Sequence, residues 1–280
     1  MNARPSTVGG DEIVAYLREL GMVEALMGAP LPGAPISAVA TDALAARGDL
    51  AWSRHPGAAA RFQGSLLICS AEAAAEPTEP AAGRAIVVCP RPRLAMALVA
   101  ARFFTHLADD RPAVYADPAT ALSVDDGRAW VRNAATGRNV RIGPLATIGC
   151  SGMGYERDDQ GRLVPFPQLG GVVLDEDVHV AAQAMIQRGA IGDTVVRRGA
   201  KVGPHVNVGH NAEIGEDCLI AGHAQIGGGV RLGSRVVVWQ SAAIANGVVV
   251  GEGAVIGMGA MVRADVKPGE TWVGNPGRRL

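Results

Sequence analysis

The stretch VVRRGAKVGPHVNVGHNAEIGEDCLIAGHAQIGGGVRLGSRVVVWQSAAIANGVVVGEGAVIGMGAMVRADV, residues 195–266, divides without a slip into twelve units of six. The second residue of each unit is aliphatic: Val196, Val202, Val208, Ile214, Ile220, Ile226, Leu232, Val238, Ile244, Val250, Ile256 and Val262. The sixth is always Ala, Val or Cys. An α-helix would repeat at three and four and an amphipathic strand at two, so a strict period of six requires a short strand followed by a turn. Three such hexads close one triangular coil, with the aliphatic residues inside and small residues at crowded corners. Successive coils then pair as parallel strands ~4.8 Å apart. The fold class predicted is mainly β, a parallel β-helix.

The pattern starts earlier. Ile142 and Ile148 fit it, as do Leu174, Val180 and Ile186, and the segment RGAIGDT (188–194) carries four residues too many before Val196 restores the frame. Such an excess projects as a loop.

Upstream, residues 10–28 (GDEIVAYLRELGMVEALMG) place Ile13, Val14, Leu17, Leu20, Val23 and Leu26 at helical spacings, with Asp11 and Glu12 in the first turn where the helix dipole favours acids. A second helix is expected over Arg93 to Leu107. GSLLICS and RAIVVCP read as short buried strands bounded by Gly, Ser and Pro. AAAEPTEPAAG (73–83) has the composition of an exposed loop, and DDRP, DDGR and TGRN make 109–140 polar. The reading is a small α/β domain over 1–140 and a β-helix over 141–280.

The 26 basic and 27 acidic side chains nearly cancel, so no strong positive field exists to attract nucleic acid or anionic lipid. Cys69, Cys89, Cys150 and Cys218 are scattered without a CxxC pair, which argues against a disulfide framework and against a tetrahedral zinc site. The N-terminus lacks an apolar signal segment, and no uncharged apolar run reaches the ~18 residues of a membrane span. A cytoplasmic protein is expected.

Four motifs, in order along most of the chain, resemble the UDP-3-O-acylglucosamine N-acyltransferases of lipid A synthesis (LpxD-type). GDLAWSRHPGAAARFQGSLLICS with AIVVCPRPRLAMALVAARFF is similar to that family's uridine-binding domain. GCSGMGY (149–155) with PFPQLGGVV (165–173) resembles its Gly-Asp-Gly-Phe-Gly-Tyr loop and return. MIQRGAIGDT resembles its Arg-Gly-Ala-Leu-Asp-Asp-Thr loop, and NVGHNAEIGED its Ile-Ala-His-Asn core. The resemblance implies a left-handed coil, a homotrimer with sites between subunits, a nucleotide-sugar substrate, and acyl carrier protein as donor. No cofactor beyond the acyl thioester co-substrate is implied. By the matched loops it also implies Gly228 as the oxyanion-holding backbone, and Trp52, Tyr155, Gln168, Arg188 and Asn211 as substrate contacts.

The departures are specific. Trp52 stands where the family stacks a Phe on uracil, and the partner Tyr falls near Ala58 or Ala59. The family's second active-site His falls in AIANGVVV, at Gly247 or Val248. The end, WVGNPGRRL, resembles sugar acetyltransferases that use coenzyme A, so either thioester donor fits.

Amide formation from a thioester needs a base for the attacking amine and donors for the oxyanion. His210 lies two residues past the inward Val208, which puts it on the outer surface near a corner, and a histidine titrates near neutrality. The function expected is N-acyl transfer to the amine of a nucleotide-linked amino sugar, in lipid A or a related glycan pathway, with His210 as base. His205 and His223 are three hexads apart, one full coil, and should stack as a second histidine site. HVNVGH resembles the zinc pair of γ-type carbonic anhydrases, but Leu169 stands two coils before His205 and His179 is displaced by the loop, so no metal ligand set is assigned. That zinc enzyme and a non-catalytic β-helix scaffold are the alternatives.

Overall fold

The computed structural model describes residues 7–30, 35–75, 80–104, 107, 112–115 and 129–280. Glu76 to Glu79 of the polar loop and all of DDGR lie outside the described residues. The chain forms two compact units, one of Met1–Asp109 with Met153–Pro167 and one of Asp110–Gly152 with Gln168–Leu280.

The second unit is a parallel β-helix of three sheets. One contains Glu213–Ile214 and Arg231–Leu232, the next Lys201–Val202 and Leu219–Ile220, and the third Asn207–Val208 and Gln225–Ile226, each strand paired in parallel with its equivalent one coil on. From Val195↔Glu213 to Ala243↔Met261 the partners are three hexads apart, as the repeat requires, and the closing pair Val255↔Thr271 is two residues shorter. One coil earlier, Val172↔Thr194 exceed that separation by four residues, so the RGAIGDT excess leaves the ladder as a loop. Ala134↔Val172 are further apart still, because residues 153–167 make a separate excursion.

The second and sixth hexad residues all point inward. Ile214, Ile220 and Val238 are fully buried, as are Ala200, Ala224 and Ala242, and together they form one continuous core. Each buried Val, Leu or Ile contributes about 1.5–3 kcal/mol relative to exposure, so the column of aliphatics is the main stabilising term.

The division near residue 140 is not where the compact units part. Val114–Tyr115, Trp130–Val131 and Ala134–Thr136 already pair into the β-helix sheets. Their hexad pattern is obscured by the polar TGRN turn, which is itself a corner of the coil.

The first unit has a five-stranded sheet in the order Ala25–Gly28, Ala85–Val88, Leu66–Cys69, Asp49–Ser53, Ala38–Val39, antiparallel at the first pairing and parallel elsewhere. Its helices span Gly10–Glu19, Ala58–Arg61 and Pro92–Phe103. The helix expected over 10–28 therefore stops early. Gly21 adopts a left-handed φ of 66°, and Ala25–Gly28 pairs with Ala85–Val88 as a sheet edge. The apolar residues of VEALMG satisfy either period, and pairing with a fully buried strand decides for β. The excursion Met153–Pro167 forms an antiparallel hairpin, Tyr155–Arg157 with Leu163–Pro165.

Candidate active site

Each strand pair of the β-helix ends at a corner whose fifth hexad residue is left-handed. From Gly199 to Gly259 these φ values lie between 53° and 74°, and His205, Asn211 and His223 are three of the positions. A left-handed residue turns the chain sharply, and Asn tolerates it better than most because its short amide can bond locally. The preceding, fourth residues of successive coils form a column of His210, Gly228 and Asn246. Its rungs are tied by Gly229 N–H to His210 O at 2.8 Å and Gly247 N–H to Gly228 O at 2.9 Å.

Asn211 organises the corner. Its Nδ2 donates to Ile191 O at 2.7 Å and Gly192 O at 3.3 Å, its Oδ1 accepts Ala190 N–H at 2.9 Å, and its own N–H donates to Thr194 Oγ1 at 2.8 Å. Asn211 therefore ties the projecting loop at several residues, and Asp193 Oδ1 ties it again by accepting the Gly171 N–H at 2.6 Å. These partners also fix which end of the amide is oxygen, and His210 Nδ1 lies 3.1 Å from that oxygen. An amide oxygen only accepts, so in the neutral ring Nδ1 carries the hydrogen and Nε2 the lone pair.

The half-buried His210 ring sits between two glycines. A methyl at Gly228 would fall 2.8 Å from Nε2 and 3.0 Å from Cε1, and one at Gly152 would fall 3.2 Å from Cδ2. Gln187 Oε1 accepts the His210 N–H at 3.2 Å, and the Gly152 methyl position would be 2.9 Å from that same oxygen and 3.1 Å from Gln168 Oε1. Imidazole and glycine backbone thus meet closely at one corner. The Gly228 N–H donates to Asn246 Oδ1 at 3.0 Å, and Asn246 is exposed.

The expected contacts divide. His210, Asn211, Gly228 and Gln168 come together here, although Gln168 is 5% exposed and lies behind the ring. Arg188 is fully buried and donates Nε to Gly170 O at 2.7 Å, which makes it a brace for the loop return; its guanidinium does not face solvent. The matched motif was legible, but a motif does not tell which way its arginine turns.

In the first unit, half-buried Trp52 packs against Phe166 with centroids 6.2 Å apart, and Arg54 lies 5.8 Å over the Trp52 ring. Arg93 lies 5.0 Å from the Phe166 ring, pairs with Glu156, and donates to Tyr155 O at 3.3 Å. Burial, and secondly the Arg54 charge, pulls the Arg93 pKa down. The exposed Tyr155 enters this cluster through its backbone. Phe166 escaped the sequence reading because it lies far along the chain from Trp52; its place in the PFPQ motif is the signal that could have found it.

His205 and His223 do stack, with centroids 4.6 Å apart and planes 8° from parallel. Their column continues downward to Gln183, because His205 N–H bonds Ala182 O, and upward to Ser241. His179 instead lies within a strand, between Arg141 and Lys201. Among the described residues no group of three His, Cys, Asp or Glu is poised around a metal position.

A hexapeptide-repeat β-helix carrying a histidine corner is the class this architecture defines. Residues 193–228 match the family model for bacterial transferase hexapeptide (six repeats). A UDP-3-O-acylglucosamine N-acyltransferase of Francisella tularensis subsp. holarctica is 41% identical over 66 residues, 24% of this chain and 20% of that protein. The protein of that name from Xanthomonas oryzae pv. oryzae is 39% identical over 94 residues, 31% of this chain and 28% of its own. The solved UDP-N-acetylglucosamine acyltransferase of Campylobacter jejuni aligns over 60% of this chain and 72% of its own, at 23% identity and a TM-score of 0.45. The chain spans about a fifth to just over a quarter of the length of these curated relatives. The repeat is thus matched over residues 193–228, and the resemblance expected from the motifs is met by these partial alignments. No helix among the described residues is long and apolar enough to cross a membrane.

Proposed function

We propose that this protein is an N-acyltransferase that moves an acyl group from an acyl-carrier-protein or coenzyme A thioester to the amine of a nucleotide-linked amino sugar, in lipid A or related glycan synthesis. The observation that carries the reading is the His210 imidazole, oriented through Nδ1 by Asn211 and packed with Nε2 against Gly228. In this reading the amine attacks the thioester carbonyl, forming the C–N bond, and Nε2 takes the ammonium proton. The oxyanion is held by the Gly228 N–H. Collapse breaks the C–S bond, and the imidazolium returns its proton to the leaving thiolate. A neutral imidazole with a fixed tautomer suits both transfers.

The nucleotide half of the acceptor is proposed to rest on Trp52. Support comes from its half-buried ring beside Phe166, with Arg54 and Arg93 supplying positive charge nearby. The names of the relatives, which specify UDP-linked acceptors, favour the same substrate class. A homotrimer in the cytoplasm completes the proposal, and the four free thiols fit a reducing compartment.

The test is His210→Ala, assayed with acetyl-coenzyme A and with an acyl-carrier-protein thioester on UDP-linked amino sugars. Loss of general-base catalysis lowers kcat by about 10²–10⁴. Turnover equal to the parent's, in a variant with unchanged thermal stability and oligomeric state, overturns the assignment.

A further inference from the structure

The outward N–H of the fourth hexad residue is not used by the rung-to-rung ladder. Ladder bonds are made instead by the fifth residues, as in Gly229 to His210 O and Gly247 to Gly228 O. A side chain supplies the missing acceptor at two rungs of the column, His210 and Gly228. Gln187 Oε1 takes the His210 N–H at 3.2 Å, and Asn246 Oδ1 takes the Gly228 N–H at 3.0 Å. The two are not equivalent. Gln187 lies on a strand within the cluster behind the ring, whereas Asn246 is an exposed corner residue with solvent available to its amide. It nevertheless lies across the Gly227–Gly228 peptide, since a methyl at Gly227 would fall 2.6 Å from its Oδ1.

That N–H is the donor which an acyl transfer at His210 requires, and His210 Nε2 lies directly against the Gly228 backbone, 2.8 Å from where a methyl on that residue would stand. An amide oxygen and a thioester carbonyl oxygen are chemically alike as acceptors of one N–H. We infer that Asn246 is a positioning residue whose carboxamide oxygen is a removable placeholder for the thioester carbonyl on the Gly228 N–H. Competition between the two oxygens then sets the apparent affinity for the donor. The inference rests on the acyltransferase reading above. It needs no covalent step: the side chain turns toward solvent as the thioester enters, and returns when product leaves.

The experiment compares the full chain with Asn246→Ala and Asn246→Asp. Amide hydrogen exchange at Gly228 is read by NMR, and kinetics are measured with acetyl-coenzyme A and an acyl-carrier-protein thioester. In Asn246→Ala the Gly228 amide exchanges faster. One intramolecular hydrogen bond no longer competes, so kcat/KM for the thioester rises roughly two- to tenfold, chiefly through KM. Asn246→Asp holds the same N–H with a charged oxygen that also repels the oxyanion, and lowers kcat/KM by about tenfold or more. A purely structural asparagine would give neither the opposite signs nor the KM split. Unaltered Gly228 exchange in Asn246→Ala, or a thioester KM that stays the same or rises, overturns the inference. Absence of turnover by the unsubstituted chain with either donor is a different result, which removes the acyltransferase reading itself.

Discussion

Gly228→Ala separates the chemistry of the corner from its architecture. The residue lies outside the left-handed region, so the backbone accepts an L-residue without strain. What the methyl meets is the imidazole, 2.8 Å from Nε2, 3.0 Å from Cε1 and 3.2 Å from Cδ2. Carbon and nitrogen rest at about 3.5–4.0 Å, so the ring must withdraw by roughly 1 Å. It is half-buried and can do so by turning about its side-chain bonds, at a cost near the lower end of overpacking, about 1 kcal/mol. In the proposed reaction its reach to the substrate amine suffers far more, since a displacement of about 1 Å lowers turnover by about 10²-fold.

Gly209→Ala is the control. Its methyl would meet backbone of the next coil, 2.6 Å from Gly228 N, 2.8 Å from Gly227 C and 3.0 Å from Gly228 Cα. Backbone held in a parallel ladder cannot step aside, so that variant loses about 3 kcal/mol or more and its Tm falls by roughly 6–12 °C. Thioester turnover and thermal melts on both proteins decide the matter. Gly228→Ala with kcat/KM within threefold of the parent, or with a Tm loss as large as that of Gly209→Ala, refutes the placement of His210 against an essential backbone.

Asn211→Gly preserves the left-handed φ of 59° but removes the side-chain bonds that hold the loop, and is expected to lose about 1–3 kcal/mol in urea denaturation. Asn211→Ala adds a backbone penalty of about 1–2 kcal/mol, and a smaller loss for Ala than for Gly contradicts the geometry. Burial pushes the Cys69 and Cys218 thiols up to about 11, while Cys150 is only half-buried. At pH 8, iodoacetamide should therefore label Cys150 first by mass spectrometry, and rapid modification of Cys218 in the folded chain would contradict its place in the core.

How far the sequence could be read depends on where the repeat fixes direction. In residues 195–266 an aliphatic every sixth place has one geometric solution, and Ile220, Ile226 and Ile214 point inward as their spacing demands. The stacking of His205 on His223 followed from the same arithmetic. Upstream, that constraint disappears. VEALMG carries apolar residues compatible with helix or strand, and only pairing with Ala85–Val88 makes it a strand. Ala134–Thr136 was likewise hidden, because its partner Val172 lies across a long excursion whose length no hexad count could anticipate.

The candidate site divides along the same line. Column membership is arithmetic: His210, Gly228 and Asn246 stand one coil apart at the fourth place of their hexads, so the spacing alone places Asn246 beside Gly228, whose own role is what the resemblance implies. Side-chain direction is not arithmetic. Arg188 and Asn211 both come from motifs shared with the N-acyltransferases, yet one turns wholly inward to brace Gly170 O and the other spans the loop to orient His210. The difference arises from the four extra residues of RGAIGDT, which take the backbone groups of Ala190, Ile191 and Gly192 out of the ladder. Buried backbone groups must find partners, and the nearest polar side chains are recruited to them. The loop insertion therefore recruits Asn211, whose amide is fixed in the orientation that puts the hydrogen of the neutral His210 ring on Nδ1, whereas Arg188 turns to the neighbouring return at Gly170.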